Sequence, residues 1–111
     1  MNRLTTHILD IARGLPAPGV AVRLEKSEAS AWVLVCETST DDDGRARLAG
    51  PDESLEMGDY RLSFEVEEYF SLQDIETFYP IVQVIFRVSE ARHYHVPLLL
   101  SPFGFSTYRG S

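Results

Sequence analysis

The sequence has 111 residues, 44% of them hydrophobic and 24% charged, which suits one globular domain with a modest core over residues 1–111. Its formal net charge of −7 argues against a nucleic-acid partner, because contacts to phosphates need a basic stripe that this sequence lacks. An anionic membrane surface would repel the same charge, so we expect no membrane partner either.

Cysteine content and apolar runs indicate where the protein works. Cys36 is the single cysteine, so no disulfide forms within the chain and nothing suggests secretion; a small apolar residue in a strand is the better interpretation. The first residues contain no apolar run of signal-peptide length, and no stretch reaches transmembrane length. The sequence therefore predicts a cytoplasmic protein.

Apolar and polar residues alternate along most of the chain with the period of two that is typical of β-strands. The pattern predicts strands at residues 7–11, 20–24, 32–38, 45–48, 60–66, 82–88, 93–100 and 103–109. A Pro- and Gly-rich turn is predicted at residues 13–19, a loop from Gly50 to about Gly58, and one short helix at residues 67–72. Seven or eight short strands with little helix predict an all-β fold, a β-sandwich.

The acidic run Asp41, Asp42 and Asp43 before Gly44 could be mistaken for a calcium loop. An EF-hand needs Gly at loop position six and a bidentate Glu at position twelve. With Gly44 at position six, position twelve is Gly50, so the run fails this test. A solvated tight turn between strands is the better interpretation.

The histidines allow two kinds of chemistry. His93 and His95 are two residues apart on a predicted strand and so share a face, and with His7 they could form a three-histidine zinc site. Arg45 and Arg109, if nearby, would repel a dication. The alternative is metal-free catalysis, in which a neutral imidazole takes a proton from water and an arginine neutralises the resulting oxyanion. Spacing alone does not separate the two.

Five segments, in the same order along the chain, resemble those of the 5-hydroxyisourate hydrolases, the transthyretin-related enzymes of urate breakdown. They are residues 4–10 (LTTHILD), the turn of Thr40 with Asp43, Gly44 and Arg45, residues 76–80 (ETFYP), residues 93–102 (HYHVPLLLSP) and residues 108–111 (YRGS). The last two segments are specific, and the terminal tetrapeptide marks the enzyme branch of the family.

The resemblance implies a two-sheet, eight-strand β-sandwich with one short helix. It also implies a homotetramer, a dimer of dimers, with active sites in the channel between the dimers. Two features of the sequence agree with an assembly: exposed strand edges need covering, and the apolar run at residues 98–100 with Phe103 and Phe105 is more than one small domain readily buries.

The resemblance further assigns site residues. It implies catalytic roles for His7, Arg45 and His95. The residues it implies for substrate binding are His7, Arg45, Tyr108, Arg109 and Ser111. His93 matches less strictly, and we expect a structural role for it. Asp41 and Asp42 stand where many relatives have neutral residues, and we expect them only to add surface charge.

The reaction implied is hydrolysis of the cyclic amide of 5-hydroxyisourate to 2-oxo-4-hydroxy-4-carboxy-5-ureidoimidazoline, without metal or other cofactor. A histidine, His7 or His95, activates water, and Arg45 balances the charge that develops. The alternative is a transthyretin-like module that binds a small ligand without catalysis, since residues 101–107 (SPFGFST) also resemble transthyretin. Transthyretin lacks the terminal tetrapeptide and the histidine–arginine set, which favours the enzyme.

Overall fold

The computed structural model of the protein describes residues 3–49 and 55–111. Within these ranges the chain forms nine strands and one short helix. The strands are β1 (Arg3–Asp10), β2 (Leu15–Pro16), β3 (Ala21–Glu28), β4 (Ala31–Ser39), β5 (Arg45–Ala49), β6 (Gly58–Phe64), β7 (Val82–Val88), β8 (His93–Ser101) and β9 (Gly104–Thr107), and helix α1 (Val66–Ser71) follows β6. No helix in these ranges is long and apolar enough to cross a lipid bilayer.

The strands form two sheets. In the first sheet, β1 runs parallel to β8 on one side and antiparallel to β5 and the two-residue β2 on the other, and β9 pairs with the far edge of β8. The second sheet has the order β4–β3–β6–β7, with antiparallel pairs throughout. The predicted all-β, two-sheet sandwich with one short helix is therefore confirmed, and β2 is an addition inside the predicted turn at residues 13–19.

The hydrophobic core lies between the sheets and is built from alternate strand residues. In β1, Leu4 and Ile8 are fully buried, whereas Thr5 and His7 lie on the opposite face. Residues of β8 alternate in the same way. The core side chains that β8 contributes are Tyr94, Val96, Leu98 and Leu100. The outer face of the first sheet is therefore left free for polar residues.

Asp10, the last residue of β1, attaches α1 to the first sheet. Its carboxylate is buried and accepts hydrogen bonds from the Tyr69 hydroxyl at 2.7 Å and from the backbone N–H groups of Ala12 and Arg13 at 3.1 Å. A buried carboxylate needs such donors. Burial, reinforced by the bond to Asp10, raises the pKa of Tyr69 above its ordinary value, so the phenol stays protonated and continues to donate.

Several predicted boundaries are wrong. Strand β1 begins at Arg3 instead of residue 7, and β3 runs to Glu28 instead of residue 24. Helix α1 begins at Val66, which the alternation placed at the end of a strand; Val66 is buried, and an apolar buried residue suits either element. Strand β9 ends at Thr107 instead of residue 109, although Gly110 still forms an isolated bridge with His95. The loop predicted from Gly50 lies outside the described residues at positions 50–54.

The apolar run at residues 98–100 with Phe103 and Phe105 was expected to exceed what one small domain readily buries, and this is wrong for the run but not for the two phenylalanines. Leu98 and Leu100 have no exposed surface, because both point into the core, and Leu99 on the opposite face is half-buried. Phe103 and Phe105 do stay exposed, by 67% and 38%. An apolar surface therefore remains next to β9 and not along β8.

Candidate active site

The candidate site lies on the face of the first sheet that points away from the core. Because strand residues alternate between faces, β1 presents Thr5 and His7 there, β5 presents Arg45, and β8 presents His95. The chain as a whole is acidic, with a net charge of −7, yet this group of side chains is basic. The face therefore suits a ligand that is anionic or rich in oxygen.

The pairing registers bring these residues together. His7 lies directly opposite Arg45 in the antiparallel β1–β5 pair, and Thr5 lies directly opposite His95 in the parallel β1–β8 pair. Neighbouring strands are separated by about 4.8 Å, so directly paired side chains on one face are within reach of each other. The three residues predicted as catalytic, His7, Arg45 and His95, thus surround Thr5 on one surface.

The tautomer of His7 follows from its partner. Nε2 of His7 is 2.8 Å from the backbone carbonyl oxygen of Asp43. A carbonyl oxygen only accepts hydrogen bonds, so Nε2 carries the proton and donates it. In the neutral ring the lone pair is then on Nδ1, which is the nitrogen of His7 that can accept a proton from water.

The turn before β5 fixes the position of Arg45. The Asp41 carboxylate accepts hydrogen bonds from the backbone N–H groups of Asp43 and Arg45, both at 2.9 Å. Gly44 has φ +76°, and a Cβ atom there would come within 2.5 Å of the Ile8 carbonyl oxygen, so only glycine fits. The expectation that Asp41 only adds surface charge is therefore wrong, because its side chain organises the turn.

His95 is held by a hydroxyl on the neighbouring strand. Oγ1 of Thr5 is 2.8 Å from Nδ1 of His95 and 3.3 Å from Nε2 of His93. Burial is the main cause that lowers the pKa of His95 below its ordinary value of 6.5. The charges of His93, Arg45 and His7 lower this pKa further, and a hydrogen bond to the backbone of Thr5 raises it. The ring therefore stays neutral to a lower pH than a solvated histidine.

Two shallow depressions meet at Arg45. One, of about 330 Å³, is lined by His7, Leu9, Pro16, Asp43 and Arg45. The other, of about 290 Å³, lies on the side of Arg47 and is lined by Thr5, Thr6, Asp41, Arg45, Ala46 and Arg47. The Arg45 guanidinium, with its fork of N–H donors, is thus accessible to a ligand from both sides.

The terminal residues follow β8 beyond the end of β9. The Gly110 N–H donates to the His95 carbonyl oxygen at 2.8 Å. A Cβ atom on Gly110 would come within 2.7 Å of Cδ2 of the His95 ring, so the ring lies directly against this glycine. Gly110 therefore joins the C-terminal segment to the candidate site.

The other residues of the tetrapeptide lie elsewhere in the single chain. Tyr108 and Arg109 line an apolar cleft of about 290 Å³, together with Val84, Phe86, Arg87, Tyr94, Val96 and Thr107. This cleft opens between edge strands β7 and β9. Tyr108 is 58% exposed, and Ser111 is exposed. The structure thus brings His7, Arg45 and His95 together, whereas Tyr108 and Arg109 line a separate cleft and Ser111 lies on the surface.

The positions of the histidine rings bear on metal binding. Across residues 3–49 and 55–111, no three His, Cys, Asp or Glu side chains are arranged closely enough to share a metal ion. The ring centroids of His93 and His95 are 6.4 Å apart, and His93 is exposed.

Residues 4–110 match the family model described as the HIUase/Transthyretin family. The chain belongs to this family. The 5-hydroxyisourate hydrolase of Salmonella dublin is 46% identical to it over 111 residues, covering 99% of this chain and 82% of that protein.

Solved structures do not show which of the two kinds of protein in this family, hydrolase or transthyretin, the backbone resembles more. The 5-hydroxyisourate hydrolase of Klebsiella pneumoniae superposes with a TM-score of 0.87 at 35% identity, covering 98% of this chain and 99% of that one. Sea bream transthyretin, solved in complex with thyroxine, superposes with a TM-score of 0.90 at 31% identity, covering 96% and 93%. The backbone is thus similar to both branches of the HIUase/Transthyretin family, and the side chains have to distinguish them.

Three residues that contribute to the candidate site were not predicted from the sequence. Thr5 shares a face with His7, which strand alternation does indicate, but its contact with His95 depends on a parallel pairing between distant segments. Asp41 looked like one of three equivalent surface acids. Gly110 was noted only as part of the tetrapeptide, because nothing in its spacing reveals a ring packed against it.

Proposed function

We propose that this protein is a 5-hydroxyisourate hydrolase that opens the cyclic amide of its substrate to give 2-oxo-4-hydroxy-4-carboxy-5-ureidoimidazoline. The observation that carries the proposal is the register of β1, β5 and β8, which gathers His7, Arg45 and His95 on one open face. The identity of 46% to a relative named 5-hydroxyisourate hydrolase supports the same reaction.

The proposed mechanism uses a neutral imidazole as general base. His7, through Nδ1, or His95 takes a proton from water, and the water oxygen bonds to the ring amide carbon. Arg45 donates hydrogen bonds to the carbonyl oxygen as it becomes negative. The carbon–nitrogen bond of the ring then breaks, the electron pair goes to nitrogen, and the imidazolium returns its proton there. The new carboxylic acid loses its remaining proton to solvent, so a carboxylate and a ureido group result.

The terminal residues complete the proposed pocket. Tyr108 offers a flat ring with a polar tip, and Arg109 offers a rigid fork of donors, both of which suit a planar, oxygen-rich substrate. Ser111 adds a hydroxyl. The support for placing this segment near the substrate is the hydrogen bond and ring contact between Gly110 and His95.

The proposed assembly is a homotetramer, a dimer of dimers of single-domain subunits, working in the cytoplasm. Strands β7 and β9 are both free edges of their sheets and border the same apolar cleft. Free edges and an apolar surface, with Phe103 67% exposed and Ile85 64% exposed, are what a second subunit would cover. The channel between dimers would then enclose the open face of the first sheet.

The reaction is proposed to need no metal. The reason is chemical: a neutral base and an arginine together supply both the proton acceptor and the positive charge that hydrolysis of an amide needs. Exhaustive treatment with EDTA should leave the rate unchanged. Loss of activity with EDTA and recovery with zinc would establish a metal enzyme instead.

The second candidate is a transthyretin-like module that binds a small ligand without catalysis. The TM-score of 0.90 to sea bream transthyretin supports this candidate, since the backbone is as similar to that protein as to a hydrolase. The side chains of His7, Arg45 and His95 favour the enzyme, because a carrier has no need of two histidines with free nitrogens on the same sheet face as an arginine.

One experiment decides between them. The absorbance of freshly generated 5-hydroxyisourate is followed with and without the protein, and with the variants Arg45→Ala and Arg23→Ala. Arg23 is exposed on the other sheet, where it pairs with Glu37, and serves as the matched control. We expect rapid loss of absorbance with the protein and with Arg23→Ala, and a large decrease with Arg45→Ala. A decay equal to the spontaneous rate in all samples would overturn the proposed function.

A further inference from the structure

We propose that Thr5 and Gly110 are positioning residues that hold the His95 ring from two sides, so that Nε2 of His95 is the nitrogen presented to the substrate. We call this pair the His95 clamp. Its kinetic consequence rests on the proposed function, whereas the clamp itself is a matter of ring geometry and can be tested without the reaction.

Thr5 provides the first side of the clamp. Its Oγ1 lies 2.8 Å from Nδ1 of His95, directly across the parallel β1–β8 pair. A β-branched side chain in a strand has few χ1 rotamers, so the hydroxyl is held in place. The same oxygen is 3.3 Å from Nε2 of His93. A hydroxyl donates one hydrogen bond and accepts others, so a single orientation satisfies both rings.

Gly110 provides the second side. Its N–H donates to the His95 carbonyl oxygen at 2.8 Å, which fixes the terminal segment against β8. A Cβ atom at this position would come within 2.7 Å of Cδ2 and 3.3 Å of Cγ of the ring. Glycine is therefore required by the close approach of the His95 ring. Any other residue would push the ring away from where Thr5 holds it.

The two contacts leave one nitrogen available. Nδ1 faces Thr5, and the edge formed by Cγ and Cδ2 faces Gly110, so Cε1 and Nε2 are the ring atoms that remain. His7 presents the other kind of nitrogen, because its Nε2 is bound to the Asp43 carbonyl. A ring held in one orientation loses less entropy when the substrate binds and reacts.

The kinetic test compares matched substitutions. Thr5→Val removes the hydroxyl but keeps the branched shape, and Thr5→Ser restores the hydroxyl. In metal sites, loss of an outer group that orients a ligating histidine costs about 10- to 100-fold, and we use the same factor for a histidine that acts as a base. We expect Thr5→Val and Gly110→Ala each to lower kcat by about this factor, with KM much less affected, and Thr5→Ser to recover most of the rate.

Two control variants match these changes. Thr38→Val makes the same substitution on β4 of the other sheet. Gly104→Ala adds a Cβ atom where the nearest heavy atom is Oγ of Ser101, at an ordinary contact distance of 3.7 Å. Both should keep the original kcat. Equal losses in Thr5→Val and Thr38→Val would show a general effect on the fold and overturn the proposal.

A double-mutant cycle tests whether the two residues act through the same ring. If they do, Thr5→Val and Gly110→Ala together should lower kcat by much less than the product of the separate effects. If the two separate decreases in kcat multiply in the double variant, the residues do not act through one ring, and the proposed clamp is overturned.

An NMR measurement gives a readout that does not depend on catalysis. Nitrogen-15 resonances of the His95 imidazole are recorded for the original protein and each variant. Thr5→Val should shift the Nδ1 resonance of His95 and leave those of His7 unchanged, and Gly110→Ala should also disturb His95. Unchanged His95 resonances in Thr5→Val would refute the clamp. The predicted shifts in a protein that does not hydrolyse 5-hydroxyisourate would support the clamp and refute the proposed function.

Discussion

Two histidines on one sheet face offer different nitrogen atoms to a ligand. His7 keeps Nδ1 free because a carbonyl holds its Nε2, and His95 keeps Nε2 free because a hydroxyl holds its Nδ1. A hydrogen bond to one ring nitrogen fixes the orientation of the ring and determines which nitrogen faces a ligand. The partner atoms are therefore as important for the site as the histidines. The neighbouring His93 has the longer contact to Thr5, its ring centroid is 6.4 Å from that of His95, and it is exposed.

We expect His7→Ala and His95→Ala each to lower turnover far more than His93→Ala. A positioned acid–base group contributes about 100- to 10,000-fold. His7 lies directly opposite Arg45 in the β1–β5 pair, and His95 is close enough for the charge of Arg45 to lower its pKa. Initial rates with 5-hydroxyisourate measure the effect, and circular dichroism confirms that each variant is folded. Small and equal effects of all three substitutions would remove the histidine mechanism.

The titration of His95 should lie below the ordinary value of 6.5, because burial lowers its pKa. The unfolded chain then binds more protons than the folded one as the pH falls below 6.5, so the free energy of unfolding decreases there. Proton NMR of the His95 ring gives the midpoint, and urea unfolding at several pH values gives the stability. His95→Gln should lose this part of the pH dependence. A midpoint above 6.5 would contradict the prediction.

The turn between β3 and β4 has an unusual backbone conformation for its sequence. The β3–β4 hairpin turns through Ala29 and Ser30, which have φ values of 50° and 67°, and its strands pair at Glu28 and Ala31. Two residues with positive φ between paired strand ends fit a type I′ turn, for which Asn-Gly is the preferred sequence. Neither alanine nor serine favours this conformation.

Replacing Ala29 and Ser30 by Asn and Gly should therefore stabilise the protein by about 1 kcal/mol, because the unfavourable left-handed conformation of the turn is relieved. Urea unfolding of the double variant measures the change. Ser27→Gly, inside β3, is the control and should destabilise, since glycine weakens a strand interior. A double variant less stable than the original chain would show that the turn is not of this type.

Deletion of residues 108–111 should abolish catalysis while leaving the fold and the assembly largely intact. Strand β9 ends at Thr107, so its pairing with β8 does not depend on the deleted residues. What is lost is the contact of Gly110 with His95 and the groups of Tyr108, Arg109 and Ser111. Turnover, melting temperature and mass are measured on one preparation. A truncated protein that keeps full activity, or one that does not fold, would defeat the prediction.

The free strand edges and the exposed aromatic residues predict how many copies of the chain assemble. We expect light scattering at micromolar concentration to give four times the chain mass of 12.5 kDa. Phe103→Asp should reduce the mass, because Phe103 is 67% exposed next to β9. Val33→Asp, on the opposite edge strand β4, should not. A monomeric mass for the original protein would count against the tetramer.

Much of the architecture could be predicted from the sequence, because alternation with a period of two reports directly which side of a strand is buried. Leu4 and Ile8 against Thr5 and His7 illustrate this in β1. Alternation carries no information on which strands pair, so the parallel contact of β1 with β8 did not follow from it. The grouping of His7 and His95 was therefore expected only from family resemblance.

The smallest features of the candidate site were the hardest to predict. Asp41 and Asp42 are the same residue type and differ only in their position in the turn. The two hydrogen bonds that the Asp41 side chain accepts depend on that position. Gly110 has no side chain from which a contact could be inferred, and its importance lies in what approaches it. Boundaries such as the start of α1 at Val66 stayed ambiguous because a buried apolar residue fits both elements.

The parallel pairing of β1 with β8 has a consequence for how the protein becomes active after synthesis. Thr5 and His95 are 90 positions apart, so β1 must wait for β8 to be synthesised before the candidate site can form. At about 5–20 residues per second on the ribosome, this delay lasts about 5 to 18 seconds. Closing such a distant contact is also slow in refolding, typically milliseconds to seconds for β-sandwiches. Recovery of hydrolysis after dilution from denaturant would thus report the final docking event, later than any signal from the locally paired hairpin of β3 and β4.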